Sequence, residues 1–144
     1  MDDLLTARVK EGFDKQGFMH TLGAELSHVA EGKCSIRLAY SEALTQQHGL
    51  FHGGVTSTLA DNAAGFAAYT LMSGDEQPLT VEFKISFLEP GLGDALEARA
   101  RVLRSGRRLK HVQVDVYALD ADGEKQVAAA LATVAASKVV VSWG

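Results

Sequence analysis

An α+β fold is predicted for these 144 residues on three observations. A helical stripe opens the chain, one long run of alanine and small residues occupies its middle, and strands of period two follow. The length suits one domain, residues 1–144, with one core. Hydrophobic residues make up 47% and charged residues 22%, the balance of a chain that buries a core and not of a disordered one.

Leu5, Val9 and Phe13 recur every four residues among charged neighbours, which predicts an amphipathic N-terminal helix over residues 1–17, ended by Gly17. A domain core over about residues 20–137 follows. Glu31-Gly32-Lys33 reads as the turn of a hairpin whose second strand carries Ile36, Leu38 and Tyr40 on one face. Ser41 to Phe51 is polar, has neither period, and reads as a loop. From Gly54 to about Met72 no proline interrupts a helical run. One face of that helix carries Val55, Leu59, Ala63, Phe66 and Leu71; the other carries Gly54, Ser57, Thr58, Asp61, Gly65 and Ala68. A surface helix places lysine and glutamate on its second face, so small residues there predict burial on nearly all sides.

Val81, Phe83, Ile85 and Phe87 alternate with Thr80, Glu82, Lys84 and Ser86, predicting a half-buried strand with the first set inward. Leu96 to Val102, Val112 to Val116, and about Lys125 to Val134 continue as strands of an antiparallel meander, separated by Ser105-Gly106 and Asp120-Ala121-Asp122-Gly123. A sheet of five or six such strands curls around a helix that is apolar on all sides, and pairing with a second copy would cover what remains open.

The net charge of -4 disfavours nucleic acid as a principal partner, since phosphate binding needs a concentrated basic surface. No run of eighteen apolar residues offers a membrane span, and the acidic N-terminus lacks the apolar stretch of a secretory leader, so a cytoplasmic protein without a membrane partner is expected. Cys34 is the only cysteine and reads as a buried strand residue; neither a disulfide nor a metal site is expected.

Gly49-Leu50-Phe51-His52-Gly53-Gly54 leads straight into the long helix, so its glycine amides are expected at a helix N-terminus, where N–H groups lack intrahelical partners. Such donors suit the oxyanion of an acyl-transfer reaction. A tight loop that needs glycine is the plainer reading. Asp61 lies two turns further on, and a carboxylate among small apolar residues needs a partner or a cleft. It is either a general base or nucleophile, or the partner of an arginine across a dimer. His52 polarises a substrate or, more in keeping with its setting, orients the loop; His48 is a candidate for lining the site. Arg107 and Arg108, in the run Arg99, Arg101, Arg104, Arg107, Arg108, Lys110, suit the phosphates of a nucleotide-bearing ligand. Phe66, Tyr69, Phe83 and Phe87 are the aromatic candidates for shaping a pocket.

His52-Gly53-Gly54 followed by Asp61, Ala64-Gly65 and Ala67-Ala68 resembles the hotdog-fold thioesterases of the PaaI-like group. Thr80 to Pro90, Ala98 to Val102, Gly106-Arg107-Arg108 and Asp122-Gly123 resemble that family's later strands and turns, so the likeness covers roughly residues 20–137. The resemblance implies a hotdog fold, a long central helix wrapped by a curved five- to six-stranded antiparallel sheet, in homodimers or homotetramers with sites at the dimer interface. It implies Asp61 as nucleophile or general base, Gly53 as the amide that polarises the thioester carbonyl, with Gly54 beside it, His52 as a positioning group, and Thr80 as the orienter of water. Gln46 stands where many members carry asparagine. The activity implied is hydrolysis of an acyl-CoA, aryl or medium-chain, to free acid and coenzyme A without a cofactor. A hotdog module that binds acyl-CoA without turning it over is the alternative.

Overall fold

In the computed structural model, which describes residues 3–138, the first helix α1 spans Asp3–Asp14 and buries Val9 and Phe13. Met1 and Asp2 of the predicted helix lie outside the described residues. Gly17 does not end this helix but opens a second, α2, Gly17–Leu22, closed by Gly23 at φ 79°. Glycine adopts that left-handed backbone without a β-carbon penalty, and its N–H caps the carbonyls of Met19 and His20.

The predicted hairpin forms from β1, Glu25–Ala30, and β2, Lys33–Ala39, turning at Gly32 with φ 74°. Gly32 N–H donates to Thr70 Oγ1 at 2.8 Å, which ties the hairpin to the end of the long helix. That helix, α3, spans Gly53–Tyr69. Four more strands follow: β3 Gln77–Phe87, β4 Ala95–Ser105, β5 Leu109–Asp120 and β6 Gly123–Ser137. All six pair antiparallel in the order β1-β2-β4-β5-β6-β3, the upper end of the predicted strand number. β4, β5 and β6 form the predicted meander, whereas β3 crosses the sheet end to reach the far edge beside β6.

α3 packs against β2 to β6 on one face of this sheet. Leu59, Ala60, Ala63, Ala64 and Ala67 of the helix are fully buried against Ile36, Leu96, Ala98, Val112, Val114, Val116 and Val134. Alanine on both sides lets the helix axis approach the strands closely; full burial of a side chain such as Leu59 contributes about 1.5–3 kcal/mol. Burial on nearly all sides does not hold for the single chain, however. Ala68 of that face is buried, but Gly54 and Asp61 are exposed and Ser57, Thr58 and Gly65 half-buried, because this side of α3 lies along the edge strand β3 and nothing among the described residues covers it.

The predicted facing of β3 also needs correction. Its register with β6 slips between Thr80 and Glu82, leaving Val81 as the extra residue of a bulge and 56% exposed. A bulge reverses the side-chain parity of the strand. Thr80 therefore shares the helix side with Phe83 and Ile85, the reverse of a simple alternation through Val81.

Candidate active site

The loop before α3 is held from both sides. His52 N–H donates to Leu44 O and Phe51 N–H to Gly91 O, each at 2.9 Å, while Thr45 and Phe51 form a short bridge. Gln46 Oε1 accepts from the N–H groups of His48 and Leu50, so this oxygen builds the loop, as His48 N–H also does. The His48 side chain is exposed at the loop surface.

His52 is the N-cap of α3. Its Nδ1 accepts from Gly54 N–H at 2.8 Å, and its carbonyl accepts from Val55 and Thr56 at 2.9 and 3.2 Å. The imidazole thus satisfies one of the amides that a helix start leaves open, which supports the orienting role. An Nδ1 that accepts leaves the proton of the neutral ring on Nε2. Gly53 N–H has no acceptor among the described residues, and it sits at the positive end of the helix dipole. It is the donor available to an incoming oxygen.

Two turns further along, Asp61 accepts from Thr80 Oγ1 at 2.8 Å across to β3. The carboxylate is exposed, and no arginine of the same chain pairs with it among the described residues. The β3 bulge is what turns Thr80 toward it. Beside it on the helix, Asn62 Oδ1 is buried without a partner among the described residues.

Phe87, at the other end of β3, brings its ring to 3.3 Å from where a β-carbon on Gly53 would stand. Any larger residue at position 53 would have to push this ring back by a few tenths of an ångström. Of the four aromatic candidates, only Phe87 reaches the helix start. Phe66 and Tyr69 stack with each other at 6.2 Å between centroids, and Phe66 meets Phe13 at 5.9 Å under α1, while Phe83 is packed against the core. Sequence spacing carries no signal for the meeting of Gly53 with Phe87.

The basic run disperses over the sheet. Arg99 pairs with Glu97 and Glu124 and lies over the Tyr117 ring, and its hydrogen bond holds the Glu124 carboxyl below the usual carboxylate range. Arg101 donates to Gln113, and Lys110 is buried with its ammonium on Gly106 O. Arg107 and Arg108 line a hollow of about 620 Å³ with Glu76, Leu79 and Ala136, where β3 begins and β6 ends. Among the described residues, no three His, Cys, Asp or Glu side chains gather as a metal site would require, and no helix is long and apolar enough to cross a membrane.

A central helix, opening on an amide unpaired among the described residues and wrapped by a six-stranded antiparallel sheet, is the hotdog architecture. Residues 48–124 match the family model of the thioesterase superfamily. A thioesterase family protein of Silicibacter pomeroyi superposes with a TM-score of 0.89 at 39% identity, over 92% of this chain and 97% of that one. The acyl-coenzyme A thioesterase 13 of Pongo abelii is 30% identical over 81% of this chain and 84% of its own. The 1,4-dihydroxy-2-naphthoyl-CoA hydrolase of Listeria monocytogenes is 29% identical over 85% and 97%. The chain belongs to the thioesterase superfamily. The resemblance read from the His52 to Asp61 segment is borne out at that level.

Proposed function

We propose that this protein hydrolyses an acyl-CoA thioester, aryl or medium-chain fatty acyl, to the free acid and coenzyme A. The observation that carries this reading is the unpaired Gly53 amide on the same helix as the Thr80-oriented Asp61 carboxylate. The Gly53 N–H receives the carbonyl oxygen as it becomes an oxyanion, a contribution of about 2.7–4 kcal/mol for a well-placed donor. Asp61 either takes a proton from the attacking water, or attacks the carbonyl carbon itself to give an anhydride that water then cleaves to the free acid; in both routes the thiolate of coenzyme A leaves and is protonated. Thr80 holds one carboxylate oxygen; His52 holds the helix start, Gly54 presents its amide to that ring, and the Gln46 carboxamide shapes the loop beside it. Arg107 and Arg108 take the phosphates of the nucleotide.

One chain does not make one site. Eight residues at about 1.5 Å each separate Gly53 from Asp61 by roughly 12 Å along α3, too far for one thioester to meet both. β3 is 11 residues long and, among the described residues, unpaired on its outer edge, with Leu79, Val81, Phe87 and Leu88 more than half exposed. An edge of that kind pairs with another strand. A two-fold axis through the middle of β3 exchanges its ends and sets Asp61 and Thr80 of one copy near Gly53 and Phe87 of the other. The active species is therefore a homodimer or a pair of such dimers. A reduced cytoplasmic setting agrees with a single, buried, free cysteine.

The test is thiol release from a panel of acyl- and aryl-CoA substrates by the wild type and by Asp61→Asn. Loss of Asp61 should lower kcat by at least about 100-fold, the size of a general-base contribution, with KM little changed. Full kcat in Asp61→Asn would sink this mechanism. Thermal stabilisation by acyl-CoA without any thiol release would make the protein a binding module instead.

A further inference from the structure

Phe87 is an aromatic residue left 56% exposed at the end of a strand whose preceding inward residues, Phe83 and Ile85, pack against the core. Its Cζ and Cε1 stand 3.3 and 3.4 Å from the β-carbon position of Gly53, and its Cε2 stands 3.9 Å away. The neighbouring Gly53 N–H has no acceptor among the described residues. An oxygen accepting from that amide sits about 2.9 Å from the nitrogen, and the carbon bearing it lies little more than one bond further on. A group on one side of that carbonyl therefore comes close to the ring.

Resting on thioester hydrolysis at this helix start, we propose that Phe87 forms the wall of the acyl pocket next to the reacting carbonyl. It selects acyl groups that are flat at the α-carbon, aroyl or conjugated enoyl, over those branched there. A flat carbon lies against the ring in the offset or edge-on geometry that aromatic pairs prefer. A tetrahedral carbon with two alkyl branches needs about 3.5–4.0 Å between each branch and the ring carbons, on a side where the ring already fills the space a β-carbon of residue 53 would use. The wall and the amide belong to the same chain, so the selection works whichever copy supplies the carboxylate.

The experiment compares kcat/KM for benzoyl-CoA and isobutyryl-CoA in the wild type, Phe87→Ala, Phe87→Leu and Phe87→Tyr. The wild type should favour benzoyl-CoA. Phe87→Ala and Phe87→Leu should lower the benzoyl to isobutyryl ratio by about 2- to 12-fold, the range of aromatic pair energies read as rates, while Phe87→Tyr retains it. Phe87→Leu keeps apolar volume without the ring, so it reads the same ratio if the alanine variant is poorly folded. Thiol release by the wild type with a ratio that both ring-less variants leave unchanged, or a wild type that favours isobutyryl-CoA, overturns the role of Phe87 alone. No thiol release by the wild type from any acyl-CoA overturns hydrolysis and this selection with it.

Discussion

Cys34 packs at zero exposure near the start of β2, between Val29 of β1 and Ala100 of β4, and burial pushes its thiol up to about 12. The thiolate is both the nucleophile and the form that burial disfavours, so the native chain holds an inert thiol. At pH 8, native protein should react with a thiol reagent only on unfolding; rapid labelling of one equivalent without denaturant would contradict this burial. The sign for stability follows from the same shift. The unfolded thiol ionises near about 8.5, so the contribution of the neutral buried group is complete below that pH and is lost as pH rises toward the folded value. Asp61 presents the opposite case at the residue scale: exposed, with one hydroxyl donor, it is a carboxylate held in place and open to a second molecule.

At the scale of the element, β3 does two things with one irregularity. The bulge at Val81 keeps Phe83 and Ile85 on the core while turning Thr80 to the same side, onto Asp61. Were Val81 to alternate as a regular strand residue, parity would send Thr80 to the outer face. Thr80→Val should leave a folded sheet by circular dichroism yet remove the hydrogen bond to Asp61 and lower kcat by about 10-fold, a hydrogen bond to a charged group being worth about 1.5–3 kcal/mol. Wild-type kcat in a folded Thr80→Val variant would show that this hydroxyl does not serve the site. α3 shows a similar economy at its start, where a histidine ring caps Gly54 and leaves Gly53 open.

At the scale of the molecule, the proposed mechanism asks one thioester to meet both Gly53 and Asp61, which lie too far apart along one helix, and so it requires a second copy. If each site takes its amide from one chain and its carboxylate from another, two inactive variants should rescue each other. Mixing Gly53→Val with Asp61→Asn under conditions that exchange subunits should restore about a quarter of wild-type activity. Random pairing makes half the dimers mixed, and one of two sites in each is intact. No recovery in mixtures shown by mass spectrometry to contain mixed dimers would place both groups in one chain. The proposed two-fold pairing would also cover exposed apolar side chains along β3, such as Leu79 and Val81, which a lone edge strand leaves in water.

The sequence by itself determined the fold class, the hairpin at Gly32, the meander and the long helix, because period two, period 3.6 and turn residues are local properties that tertiary packing here respects. It also marked His52, Gly53 and Asp61, since glycines before a helix and a lone carboxylate within it are visible without coordinates. It misread Gly17 as a helix end, and it placed Thr80 outward, because one inserted residue in a strand leaves no trace in an alternation that otherwise continues. Only the tertiary structure decided which aromatic ring faces Gly53, which arginines remain free, and where β3 lies in the sheet. Those are meetings of residues far apart in the chain, set by how the sheet closes over α3 and not by any spacing along it.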